Sequence, residues 1–422
     1  MRFLMCAIAT LTKQTSKAKS SNFEPLADLI MQLNLPNSKF IRLDWISSQA
    51  NAYIKNRFQE RLAAVDIQIN GTRAWDIQVH NENFYTRVLL QGSLGLGEAY
   101  VEGWWDCSQL DEFFSRLLRG LIHEQVAANS FVALWEKLKT KILNLQTLAR
   151  SFQVGQHHYD LGNDLFVRML DPQMVYSCGY WQQAKTLEEA QTAKLDLICQ
   201  KLQLQPGMTL LDIGCGWGSL MKYAAEHYGV SCVGVTVSQE QVQLGKQRCQ
   251  GLPIQFLLQD YRECQGQFDR VVSVGMFEHV GYKNYPLFME VAHRCLAEDG
   301  LFLLHTIGNR NSITYGELWT GKYIFPNGMM PSIAQISSAI ESLFVIEDLH
   351  NFGSDYTPTL LAWLNNFEQT WDQLSEKYGE KFYRIWRYFL SSTAGSFRAR
   401  HLQVWQIVFS KNGVLNGYKP VR

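Results

Sequence analysis

No two cysteines in this chain are spaced Cys-x-x-Cys, and the total of nine is odd. That argues against finger- and ribbon-type zinc sites and against a closed disulfide framework, and it suits a reducing, cytoplasmic compartment. No run reaches the roughly 18 consecutive apolar residues of a membrane span, so any dealing with lipid is expected at a membrane surface. Net charge is zero, with 39 basic and 39 acidic residues. The global field that draws proteins to nucleic acid is therefore missing, and no nucleic-acid partner is expected. Apolar residues make up 46% of 422, which gives no compositional reason for disorder and allows two domains with full cores. One absence is local: no Lys or Arg lies between Thr209 and Met221.

That stretch contains Leu-Leu-Asp-Ile-Gly-Cys-Gly-Trp-Gly at 210–218. An apolar run ending in an acid, followed by alternating glycines, reads as strand, tight turn and helix start. Glycine there permits positive φ and close approach of a ligand, and the helix start offers free N–H groups. The spacing is neither the dinucleotide-binding G-x-G-x-x-G nor a phosphate loop ending in Lys. Without a cation the turn suits a cationic or zwitterionic nucleoside better than a polyphosphate. It looks like the S-adenosylmethionine (SAM) loop of Rossmann-like methyltransferases; another nucleotide or a purely structural glycine turn are the alternatives.

Residues 1–50 read as an uncertain arm with a short helix at 24–33, and 51–150 as a smaller, mainly helical domain. Within it, 67–78 holds two strand-like pieces about Asn70-Gly71, 83–90 a helix, and 92–97 a Gly-rich packing loop. The run 110–148 is helical and amphipathic, either packed on the N-terminal core or facing lipid through Lys137, Lys139, Lys141 and Arg150. From 151 to 422 strands and helices alternate: strands at 208–213, 231–236, 254–258, 269–275 and 300–306, helices at 217–228, 239–250 and 284–296. That spacing predicts an α/β fold with a parallel, doubly wound sheet and a ligand at the strands' C-terminal ends. Helices at 333–343 and 360–389 and a strand at 404–409 follow. From Lys381 onward there are eight Lys/Arg and no Asp/Glu, either a solvated face or a patch for anionic head groups.

Asp212 ends the first strand and is placed to order the glycine turn by accepting N–H bonds, or to cap a helix. After the second strand Thr236, Ser238 and Gln241 stand where dinucleotide folds carry a ribose-binding acid. Gln259-Asp260-Tyr261 follows the third strand, placed to meet an adenine or to cap a helix. Glu278 and His305 close two further strands, and a carboxylate there is costly unless paired. They deliver an acid and an imidazole to one crevice, or bond to each other structurally. His157-His158-Tyr159-Asp160 and 173–178 are candidates for a flap; two adjacent histidines diverge on regular structure, so no metal site is expected.

Taken together, GSLGLGEAYVEGWW (92–105), HYDLGNDLFVRML (158–170), Tyr176-Ser177-Cys178, the glycine turn, VVSVGMFEHVG (271–281), LLHTIG (303–308), YIFPNG (323–328) and HNFGSDY (350–356) resemble the cyclopropane-fatty-acyl-phospholipid synthases over about 65–422. The resemblance implies a Rossmann-like class I SAM methyltransferase domain that adds a methylene to a cis double bond of a phospholipid acyl chain. It implies a SAM site of Tyr176, Ser177, Asp212, Gly214, Gly216, Trp217, Gly218, Thr236, Gln241, Gln259, Asp260 and Tyr261. It further implies a bicarbonate held by Cys178, Glu278, His305, the backbone of Ile307, and Tyr356. A homodimer, peripherally bound to the inner face of the membrane through unsaturated phospholipid, is implied as well. One departure concerns the late Ala-Gly-x-Phe-Arg segment: Thr393 precedes Ala394 where many members carry Cys, which removes a thiol nucleophile and favours the bicarbonate scheme.

Overall fold

The computed structural model describes residues 48–120 and 162–422. The expected arm and its 24–33 helix, residues 121–148 of the amphipathic run, and the 157–160 flap lie outside the described residues. Ser48 to Arg422 forms one compact unit. It opens with α1 (Ser48–Ala63), β1 (Gln78–Val79), α2 (Asn83–Val101), β2 (Trp105–Asp106) and α3 (Leu110–Arg119), followed by α4 (Asn163–Met169) and α5 (Leu187–Lys201). The expected 92–97 loop is helical instead: α2 runs through it with one break at Gly92, φ 59°. Its small residues serve approach rather than a turn. A Cβ on Gly97 would stand 2.3 Å from the Trp319 ring, so the helix has no room for a side chain there.

The expected alternation follows as β3 (Thr209–Ile213), α6 (Ser219–Tyr228), β4 (Ser231–Thr236), α7 (Gln239–Arg248), β5 (Ile254–Leu258), β6 (Phe268–Val274), α8 (Tyr285–Cys295) and β7 (Leu296–Asn309). Then come α9 (Leu318–Tyr323), α10 (Ile333–Ile340), β8 (Val345–Asn351), α11 (Tyr356–Gln369), α12 (Ser375–Arg398) and β9 (Leu402–Ser410). The strands form one seven-stranded sheet in the order β5-β4-β3-β6-β7-β9-β8. Pairs among β3 to β7 are parallel, and β9 runs antiparallel to both β7 and β8. Because β4 and β6 flank β3 on opposite sides, the chain reverses its winding at β3, and a crevice opens at the C-terminal strand ends.

Strand β8 escaped the sequence reading because its pattern is inverted. Val345, Ile346 and Leu349 are exposed, whereas Asp348 is buried. One aromatic-rich core joins the two halves of the chain: Phe84, Trp105 and Phe113 cluster with Trp319, Tyr388 and Phe397. The basic tail is tied inward, with Arg384–Asp106, Arg387–Glu368, Arg398–Asp111, Lys411–Glu298 and Arg422–Asp348 ion pairs. Five of its eight basic residues thus have an acidic partner within the fold.

Candidate active site

The turn after β3 needs its glycines. Gly214, Gly216 and Gly218 have φ of 89°, 54° and 82°, a region L-residues rarely adopt. A Cβ on Gly214 would lie 2.6 Å from that of Met276, and one on Gly218 2.5 Å from the Phe256 ring. The Gly214 and Cys215 N–H groups donate to the Val235 carbonyl at 2.9 and 3.1 Å. Asp212 thus orders no part of the turn, contrary to expectation: among the described residues it accepts no hydrogen bond, and its Oδ1 is buried without a partner. Burial pushes its carboxyl up to about 7, with the Lys194 charge pulling the other way. It is an acceptor without a donor at the edge of a cavity.

That cavity, about 200 Å³, is lined by Tyr176, Ser177, Asp212, Gly214, Gly216, Trp217, Thr236, Gln241, Gln259, Asp260 and Tyr261. Gly218 is the expected cofactor residue that does not line it; it packs against Phe256 and starts α6. Thr236 Oγ1 donates to Gln241 Oε1 at 2.6 Å, and Ser238 caps α7 by accepting from the Gln241 N–H. Asp260 both borders the cavity and caps the turn at 261–263, accepting the Arg262 N–H at 3.0 Å and pairing with its guanidinium. Trp217 is fixed by Asn163 Oδ1 at 3.1 Å and by the Phe166 ring.

The other expected residues gather beside this cavity, not in its lining. Glu278 Oε1 accepts the Ile307 N–H at 2.6 Å, and Oε2 is buried without a hydrogen-bond partner. Burial raises its carboxyl to about 7 against the pull of that N–H. The Glu278–His305 bond considered above is not formed. His305 Nδ1 faces Gln406 Nε2 at 3.4 Å, and its ring meets Phe352 edge-on. Burial, with Lys194 and Lys201 adding positive charge, drives its pKa well below the ordinary value. Cys178 is fully buried, its thiol donates to the Gly179 carbonyl at 3.2 Å, and burial holds it neutral. Segment 178–181 is stapled to the start of α11: Gly179 N–H and Trp181 Nε1 both reach Thr359 Oγ1, and Trp181 N–H reaches Asp355. Tyr356 begins that helix, its ring against Phe397 and Trp363. Cys178 and Glu278 adjoin the cavity-lining Ser177 and His279 in sequence, and the His305 carbonyl accepts the N–H of the cavity-lining Gly275 at 2.9 Å.

A family model described as mycolic acid cyclopropane synthetase matches residues 146–407. The chain is 52% identical over 363 residues to the cyclopropane-fatty-acyl-phospholipid synthase of Escherichia coli, covering 86% of this chain and 94% of that one. The chain belongs to this family. Among solved structures, it is similar to the cyclopropane synthase MmaA2 of Mycobacterium tuberculosis (TM-score 0.58, 33% identity, 62% of this chain and 98% of that one). It is equally similar to mycolic acid cyclopropane synthase CmaA1 complexed with SAH and CTAB (TM-score 0.58, 34% identity, 62% and 98%). The chain is thus a SAM-dependent methyltransferase of class I α/β fold, in a family that modifies lipid acyl chains.

Within this candidate site, four residues were given no role by the motifs above. Lys194, His279 and Arg262 line the cavity, Lys194 buried and the other two partly so. Gln191 on α5 donates to the Ser177 carbonyl at 2.9 Å and fixes that wall. His279 is kept neutral by burial, its pKa lowered to about 4. The available signal was polar residues at i and i+3 on the inward face of α5, a position that otherwise calls for apolar side chains.

Proposed function

We propose that this chain transfers a methylene from SAM to the cis double bond of an unsaturated phospholipid acyl chain, with bicarbonate as the general base. The observation that carries the reading is the near-neutral Glu278, tied to the Ile307 N–H, next to a cavity bordered by an unpartnered Asp212. The name of the Escherichia coli relative, matched over 94% of its length, supports the phospholipid substrate.

The residues fit a zwitterionic nucleoside. Asp212 offers an unpaired buried acceptor, the Gly216 N–H donates to no described group, and Tyr261 and Trp217 offer ring faces. SAM, when bound, supplies an electrophilic methyl on a sulfonium. The groups assigned to a small oxyanion would oppose it little, since burial raises the Glu278 carboxyl and holds Cys178 and His305 neutral. A Glu278 titrating near 7 presents an O–H from its unpartnered Oε2, His305 remains a neutral imidazole, and Cys178 remains a thiol. Bicarbonate, when bound, supplies a base that takes the proton lost on ring closure and exchanges afterwards. Glu278, His305, the Ile307 backbone and Cys178 would position it, and the Tyr356 ring would add cation–π stabilisation of developing positive charge of ~1–2 kcal/mol. Water exclusion strengthens each of these interactions.

We further propose 51–150 as the smaller domain making dimer or lipid contact, with the enzyme at the inner membrane face. Among the described residues no helix is long and apolar enough to cross a membrane.

The test is incubation with labelled SAM and vesicles of monounsaturated phospholipid, with and without bicarbonate. The expected product is heavier by one methylene and has lost its double bond, and bicarbonate depletion suppresses it. A reduced methyl-branched or hydroxylated product would overturn the cyclopropane assignment. Glu278→Ala and His305→Ala should retain SAH affinity and lose roughly 10²–10⁴-fold in turnover. Normal turnover in both variants would refute their roles.

A further inference from the structure

A second charged group borders the same cavity and, among the described residues, forms no close ion pair, though the charges of Asp171 and Asp212 act on it. Lys194 lies on α5, whose start is fixed by a capping box of Thr186 and Glu189. Its side chain is 1% exposed, and its ammonium makes one hydrogen bond among the described residues, to Ser177 Oγ at 2.9 Å. The carboxylates around it are otherwise disposed. Both oxygens of Asp171 are taken by the Gln173 and Val175 N–H groups at 3.0 and 2.9 Å. Asp212 lines the same cavity but forms no ion pair with it. Cys178 is a neutral thiol and His305 a neutral imidazole. An ammonium with three donors, buried and using one of them, is costly unless an anion joins it. Burial accordingly lowers its pKa to about 8.

Two buried groups of opposite charge therefore border one cavity without an ion pair between them, Asp212 Oδ1 without a partner and Lys194 with a single one. We propose that Lys194 is the counter-charge for the amino-acid carboxylate of the SAM-type ligand, acting with Ser177 Oγ, while Asp212 faces the ligand's ammonium. This rests on the reading of the cavity as the SAM site. It also accounts for a glycine turn that carries no cation of its own: the positive charge is delivered by a helix preceding the turn in sequence.

The experiment is titration calorimetry of the full chain with three probes: SAH, its decarboxylated analogue (which keeps the ammonium), and 5′-methylthioadenosine (which lacks the whole amino-acid end). Lys194→Met should weaken SAH by roughly tenfold or more while the other two stay within about twofold of the parent. Equal losses for all three would mean that Lys194 only holds the fold, and an unchanged SAH affinity would likewise overturn the proposal. In particular, lost turnover with intact SAH affinity would assign the charge to the anion near Glu278 instead. If the Met variant does not fold, the neutral but polar Lys194→Gln is read the same way: selective loss of SAH supports the proposal and uniform or no loss opposes it. Should the parent bind none of the probes, the reading of the cavity itself fails, separately from the role of Lys194.

Discussion

Asp212 shows at the scale of one residue how a binding site opposes stability. A carboxyl of ordinary value 3.8 is raised by burial to about 7, so the folded state holds its proton more tightly than the unfolded chain does. The stability from that group is complete below about 3.8 and is lost as pH rises to about 7. Above that the folded protein carries a desolvated charge with no donor. Asp212→Asn keeps the shape and removes the charge. It should stabilise the ligand-free protein at pH 7.5 by of order 1–3 kcal/mol, lose that advantage near pH 4, and weaken SAH binding. Urea unfolding at the two pH values, with calorimetry at the higher one, measures all three effects; a pH-independent gain would show that the charge is not the cause. Asp212 was legible because it stands inside a contiguous strand–turn signature. Lys194 was not, since a lysine in the middle of a helix looks like any solvated one until the helix's inward face is known.

Elements carry a different dependence. Strand β8 is held to α5 by Lys201, fully buried, whose ammonium is 3.3 Å from Asp348 Oδ2 and 3.1 Å from His350 Nδ1. Arg422 takes both Asp348 oxygens at 2.6 Å. Removing one partner from such a cluster leaves a buried charge uncompensated, whereas exchanging the buried pair for apolar residues is often neutral. Asp348→Ala should therefore cost roughly 3–5 kcal/mol in urea unfolding, and Lys201→Met combined with Asp348→Leu should recover most of it. If the double variant is as unstable as the single, packing and not charge holds the strand. The same inversion hid β8 from the sequence: its buried position is an aspartate, its apolar residues are exposed, and its ion partners lie far away in the chain. Strands β3, β4, β6 and β7 were readable because an interior parallel strand, covered on both faces, is largely apolar. The 92–97 glycines misled for a related reason, since composition alone cannot separate a loop from a helix pressed against Trp319.

At the scale of the molecule, the question is whether the two readable halves unfold as two bodies. Sequence patterning separates a helical region before 150 from the alternating region after it, but long-range packing is invisible to such patterning. In the fold α12 crosses that division. Arg384 donates to the Tyr100 carbonyl at 2.8 Å, Arg387 Nη1 to the Tyr100 hydroxyl at 2.8 Å, and Arg398 pairs with Asp111 and Glu112. The Tyr388 ring packs on Tyr100, Phe114 and Trp319. The cavity walls are in turn assembled from α5, the segment before it, and the ends of β3 to β6. A ligand that binds only the assembled cavity stabilises everything unfolding cooperatively with it, by about 2.7 kcal/mol at a hundredfold excess over Kd. Calorimetric scans should thus show residues 48–422 melting in one transition that SAH moves upward as a whole, and Tyr388→Ala, far from the cavity, should lower the midpoint of that same transition. Two transitions, with SAH moving one and Tyr388→Ala the other, would establish that the core shared by Trp105, Trp319 and Phe397 does not couple the helical region to the catalytic sheet.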